Sequence, residues 1–134
     1  MNFYIASSFK NIDNVRYISE QLKAAGHNQT YDWTKHGRAA SFDELKEIGQ
    51  KEKEAVMQSD MVIVLLPAGK GSHIELGIAL GLNKRIILHS PRGEVNDISE
   101  TSTFYHLAEV EKFLGDKDEL VNFILEKDPR ALLK

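Results

Sequence analysis

Six consecutive apolar residues, Met61-Val62-Ile63-Val64-Leu65-Leu66, stand between Asp60 and Pro67 and restrict the folds open to this chain more than any other feature. A run this short, rich in β-branched residues and closed by a proline, reads as a strand covered on both faces. Arg85–His89 (RIILH) repeats the pattern further on. Between the two lie a turn-rich loop, 67–71 (PAGKG), and a run of small and apolar residues, 72–82, that reads as a short helix. Two such strands joined through a helix form a unit of parallel sheet, because parallel neighbours need a crossover.

The rest of the chain keeps this alternation. Residues 2–6 (NFYIA) form a first strand that stops at Ser7-Ser8. A helix follows over 13–25, with Val15, Ile18, Leu22 and Ala25 at helical spacing, Asn11 or Asp13 as cap and Gly26 as stop. Residues 27–33 (HNQTYDW) make a weaker second strand, and 34–40 a polar loop. Ser41 caps a long helix, with Glu44 completing a capping-box pattern and Phe42, Leu45, Ile48, Ala55 and Val56 forming its apolar stripe. Glu52 falls on or beside that stripe. After Ser90 the polar loop 91–102 is long enough to be mobile or functional, 103–107 is expected to be a fifth strand, and 118–126 a closing helix. The expected architecture is α/β: a flavodoxin/Rossmann-like three-layer sandwich around a roughly five-stranded parallel sheet, order 2-1-3-4-5.

Composition narrows the function classes. At 134 residues, 42% hydrophobic and 28% charged, the chain is expected to be one domain spanning 1–134. The absence of Cys excludes disulfides, thiolate metal sites and a Cys nucleophile. A formal charge of −3 with no long basic block argues against a nucleic-acid polymer as partner. No secretory pattern opens the sequence and no apolar run is long enough to span a bilayer, so a cytoplasmic protein with no membrane partner is expected. The five histidines, at 27, 36, 73, 89 and 106, lack the spacing that builds a metal site on a helix, and no metal or other cofactor is expected.

In a sheet of this order ligands sit beyond the carboxyl ends of the strands, where the first and third strands meet. This points to 7–11, to 32–34 and to 67–75. Gly69, Gly71 and Ser72 lie between strand and helix, where backbone N–H groups and a hydroxyl can receive an anion. PAGKGS is not a Walker A loop, since Lys70 precedes the second glycine, and no G-x-G-x-x-G follows the first strand. Glu75 has two readings: it closes an S-x-x-E capping box on Ser72, or it is a first-turn carboxylate kept ionised by the helix dipole and aimed at a ligand. In the second it could attack or stabilise a sugar C1 as the bond to a base breaks. His73 could contact a phosphate. Asp32 could bond sugar hydroxyls or cap a local turn, and Trp33 could stack on a base or anchor the following loop.

The stretch 60–91, DMVIVLLPAGKGSHIELGIALGLNKRIILHSP, resembles the nucleoside 2-deoxyribosyltransferase family, including its relatives that hydrolyse the N-glycosidic bond of nucleotides. The similarity lies in Asp60 opening the third strand, the Pro67-to-Ser72 loop, Glu75-Leu76-Gly77 at the helix start, and Asn83-Lys84-Arg85 before the next strand. FYIASSF at 3–9, with Tyr4, a small-residue turn and Phe9, is similar to the family's opening strand. The resemblance implies Glu75 as nucleophile, Tyr4 as its orienting partner and Glu52 as the acid serving the departing base. It also implies Ser7, Ser8, Phe9, Asp60 and the loop as substrate contacts, to which Asp32 and Trp33 are added from their place at a strand end, and a homodimer or larger homo-oligomer. Ser7-Ser8 replace the proline-containing turn common in the transferases, which favours a 5′-phosphate over base exchange. The substrate implied is a nucleoside or nucleoside 5′-monophosphate. Two alternatives stay open: an NAD-cleaving domain of Toll/interleukin receptor type, and a nucleotide-binding module without turnover. A receiver domain is set aside because Ala6, Ser7 and Ser8 stand where it needs acids.

Overall fold

The computed structural model describes residues 1–35 and 37–127. Five strands, β1 (Asn2–Ser7), β2 (Asn28–Gln29), β3 (Met61–Leu65), β4 (Arg85–His89) and β5 (Val110–Phe113), form one sheet in the order β2-β1-β3-β4-β5, with every neighbouring pair parallel. Four helices alternate with them: α1 (Ile12–Ala24), α2 (Phe42–Gln58), α3 (Lys70–Gly81) and α4 (Lys117–Glu126). The reversal of direction between β2 and β3, with right-handed crossovers, puts α1 on one face and α2 and α3 on the other. Accordingly α1 packs on α4, and α2 on α3. The expected α/β architecture and strand order are those observed.

The core follows from the strands. Every residue of β3 is fully buried, and β1 from Phe3 to Ala6 and β4 from Ile86 to Leu88 are equally inaccessible. Each such aliphatic or aromatic side chain contributes about 1.5–3 kcal/mol by leaving water. Because side chains alternate along a strand, Tyr4 points to the opposite face from Phe3 and Ile5, toward α2 and α3. Gly26, at φ 94, closes α1 in a conformation that a residue with a side chain rarely adopts.

Four expectations are corrected. The second strand is two residues long, not seven, because the chain leaves the ladder where local bonds are better. The Asp32 carboxylate accepts from Thr34 N (3.0 Å) and Thr34 Oγ1 (2.6 Å), and Trp33 Nε1 donates to the Ile5 carbonyl (2.7 Å), fixing a 3₁₀ turn over Trp33–Lys35. The fifth strand is Val110–Phe113. Residues 103–106 instead form a 3₁₀ turn whose Tyr105 is buried and hydrogen-bonded to His73 Nε2 at 2.6 Å. The apolar stripe of α2 enters the core only at Ala55 and Val56, whereas Phe42 and Leu45 are 90% and 56% exposed. Finally, α3 begins at Lys70, two residues before the expected start, with consequences for Glu75.

Candidate active site

The earlier start makes Gly69 the N-cap of α3 and moves Ser72 inside the first turn, where its Oγ accepts from Gly69 N at 3.2 Å. Ser72 therefore caps its own helix without Glu75, and the capping-box reading of Ser72 and Glu75 is overturned. Glu75 sits in the second turn, on the side facing the sheet, and is 7% exposed. Tyr4 Oη donates to Glu75 Oε2 at 2.6 Å and lies 3.2 Å from Glu52 Oε2. A central strand and both helices of one face thus each deliver one polar group to a single point.

The surroundings of Glu75 set its proton affinity. Burial pushes its pKa up to about 8, the hydrogen bond from Tyr4 opposes that rise, and the nearby Glu52 reinforces it. The expectation of a first-turn carboxylate kept ionised by the helix dipole is corrected: Glu75 lies in the second turn, where the dipole's effect has fallen off, and burial raises its pKa. Tyr4 is itself raised well above the usual phenol range, first by burial and then by the two carboxylates, so it remains a hydrogen-bond donor.

Glu75 and Glu52 line a cavity of about 580 Å³ at the carboxyl ends of β1 and β3, with Tyr4 buried behind them; the size is typical of small-molecule sites. Of the residues expected there, Glu52, Glu75, Ser7, Ser8, Phe9 and Trp33 line it, as do Gly69, Gly71 and Ser72. A β-carbon placed on Gly69 or Gly71 would meet no atom within 4 Å, so the space above this loop is open to a ligand. Ser7 Oγ is bonded to the carbonyls of Leu65 (2.8 Å) and Pro67 (3.3 Å), and Ser8 Oγ accepts from Lys10 N (3.1 Å). Both therefore also fasten the turn after β1. Phe9 meets Trp33 edge to face at 5.3 Å, and Trp33 is held from beneath by its bond to Ile5, as an anchor would be.

Besides the buried Tyr4, four expected residues do not line the cavity. Asp60 lies at the amino end of β3, at the opposite end of the strands, where its carboxylate accepts from Asn2 N at 2.8 Å. Asp32 is engaged by Thr34, and Pro67 contributes a carbonyl to Ser8 N at 3.2 Å. His73 turns away: its Nδ1 donates to the Gly69 carbonyl at 2.7 Å, and its Nε2 then accepts from Tyr105. Conversely, Lys10, Arg38 and Lys70 line the cavity without having been singled out. Leu45 and Ile48 line it too, although their spacing read as core stripe. A helical apolar period does not distinguish a face packed on protein from one bordering a cavity. Among the described residues no cluster of His, Asp and Glu is arranged to hold a metal ion, and no helix is long and apolar enough to cross a membrane.

No family model matches the chain, and no curated protein matches it in sequence. Solved structures do match in shape. The Clostridium botulinum CMP N-glycosidase BcmB superposes with a TM-score of 0.65 at 14% identity, over 92% of this chain and 98% of the other. A 2-deoxyribosyltransferase from Bacillus psychrosaccharolyticus gives 0.63 at 20% identity, over 98% and 96%. A conserved protein from Enterococcus faecalis V583 gives 0.68 at 15%, over 96% and 99%. The chain has their fold. At these identities the likeness is one of architecture over nearly the full length of each chain.

Proposed function

We propose that this chain is an enzyme of the nucleoside 2-deoxyribosyltransferase family that cleaves the N-glycosidic bond of a nucleoside or its 5′-monophosphate, with Glu75 as nucleophile. The observation that carries the reading is the buried Tyr4–Glu75 hydrogen bond, with Glu52 on the same phenol oxygen and both carboxylates in the wall of the cavity at the switch point of the sheet. That two structures of this fold are an N-glycosidase and a deoxyribosyltransferase supports it.

The chemistry follows from two carboxyls with different tasks. The ionised form of Glu75, which grows in as the pH approaches 8 and is favoured by the Tyr4 hydrogen bond, attacks C1′, the C1′–N bond breaks, its electron pair leaves with the base, and Glu52 supplies the proton the base needs. Water, or a second base, then displaces Glu75 from C1′ and returns a proton to Glu52. Tyr4 has one hydrogen. That hydrogen lies toward Glu75 at 2.6 Å, and Glu52 stands 3.2 Å from the same phenol oxygen, so the two carboxyls are joined through Tyr4. The amides and hydroxyl of 69–72 receive the sugar or its phosphate.

The test is chromatographic detection of free base after incubation with nucleosides and 5′-monophosphates. Release of base from some member of such a panel is expected; none from any would overturn the reading. Tyr4→Phe removes the donor that steadies the ionised form of Glu75. It is expected to lower kcat/KM near neutral pH roughly 10–100-fold, and to move the acidic limb of the pH–rate profile upward. The loss shrinks above pH 9.

The same reading carries cytoplasmic location and a homodimer. Ile74 and Phe104, 66% and 58% exposed, line one cavity together with Leu80, and a joined apolar patch of this kind is what a partner subunit covers. Light scattering is expected to give a particle of twice 15.1 kDa.

A further inference from the structure

The cavity is electrically two-ended. Its deep wall holds Glu75 and Glu52. Its rim carries three cations from three separate segments: Lys10 in the turn after β1, Lys70 at the first position of α3, and Arg38 on the loop before α2. All three side chains are exposed, and among the described residues none is paired with a carboxylate. Three like charges around one opening repel one another, and no ion pair among the described residues takes up any of them. Their complement is a ligand group with a comparable negative charge.

A phosphate monoester carries about −1.5 to −2 at neutral pH, whereas a terminal diphosphate adds a further ionised oxygen and approaches three. The hydroxyls of Ser8 and Ser72, which accept within the fold, and the first-turn amides of α3 offer uncharged donors for one phosphate. Arg38 comes to the same cavity from the loop before α2, a segment separate from the turn after β1 and from α3, so three cations meet at one opening, more positive charge than one monoester balances. We propose, resting on the N-glycosidase reading, that the preferred substrate is a nucleoside 5′-diphosphate, with Lys10, Arg38 and Lys70 as the diphosphate-recognising set. The C1′–N bond is the one broken, so with water as acceptor the products are free base and the sugar 5-diphosphate.

The experiment compares kcat/KM for base release from a nucleoside, its 5′-monophosphate, its 5′-diphosphate and NAD. The diphosphate is expected to exceed the monophosphate at least tenfold, through KM, and the gap to narrow as salt is raised. Arg38→Ala and Lys70→Ala are each expected to bring the two within threefold, while Lys46→Ala, on α2 away from the cavity, leaves the ratio as in the unaltered chain. Equal or better use of the monophosphate, better use of NAD, whose diphosphate is a less charged diester, or an unchanged ratio in both rim variants would overturn the proposal. If no substrate releases base, the Glu75 reading fails. The rim is then judged by calorimetry on Glu75→Gln, where a diphosphate binding at least tenfold more tightly than the monophosphate supports it, and any smaller margin or no binding rejects it.

Discussion

Glu75→Gln is expected to lower the rate of base release by roughly a thousandfold or more, with substrate affinity little changed. The amide keeps the volume of the carboxyl and can still accept from Tyr4, so the site is conserved in shape. What it lacks is the negative charge that forms the bond to C1′ and balances the positive charge developing on the sugar. Single-turnover measurement on a substrate that the unaltered protein cleaves gives the rate. A fall of tenfold or less would mean that water attacks without help from this residue and that Glu75 only positions Tyr4. Glu52→Gln separates the two roles. It is expected to slow release of poor leaving bases much more than of bases that depart readily, because only the former need the proton.

The second large effect concerns stability, with the opposite sign. The folded protein raises the Glu75 pKa from 4.5 to about 8, so the native state holds this proton more tightly than the unfolded chain does. The resulting stabilisation is complete below pH 4.5, declines as the pH climbs and is lost by the time it passes about 8. Gln resembles the protonated acid at every pH. Glu75→Gln and the unaltered chain should therefore melt together near pH 4.5 and diverge above it. By pH 9 the variant is expected to be more stable by roughly 5 kcal/mol, on the order of 15 °C in Tm. Melting curves in a pH series decide this. Parallel curves would show that the native carboxylate is ionised at little cost. A residue that weakens the fold under working conditions and is lost only with activity has the signature of a catalytic group.

Much of this was legible in the residues. The unbroken apolar runs of β3 and β4 could only be strands covered on both faces, and their alternation with helices led to the strand order. Glu75 was legible as a carboxylate after a strand and a glycine loop, but its role depended on where α3 starts. Ser72 looked like a cap in either register, and a shift of two residues moved Glu75 from the backbone to Tyr4. Thr103-Phe104-Tyr105 has better strand propensity than Val110-Glu111-Lys112-Phe113, yet the latter pairs with β4, because Tyr105 gains burial and a hydrogen bond to His73. The cations of the rim gave no local signal. Lys10, Arg38 and Lys70 are far apart along the chain, and only the closing of the sheet collects them.

Trp33 is the sole tryptophan in the chain, with its indole N–H fixed on Ile5 and its ring in the cavity wall beside Phe9. The native protein thereby contains a single emitter at the place where a base or sugar would settle. Its fluorescence can follow occupancy in real time, without dye or label, and gives entry and departure rates even for molecules that are never turned over.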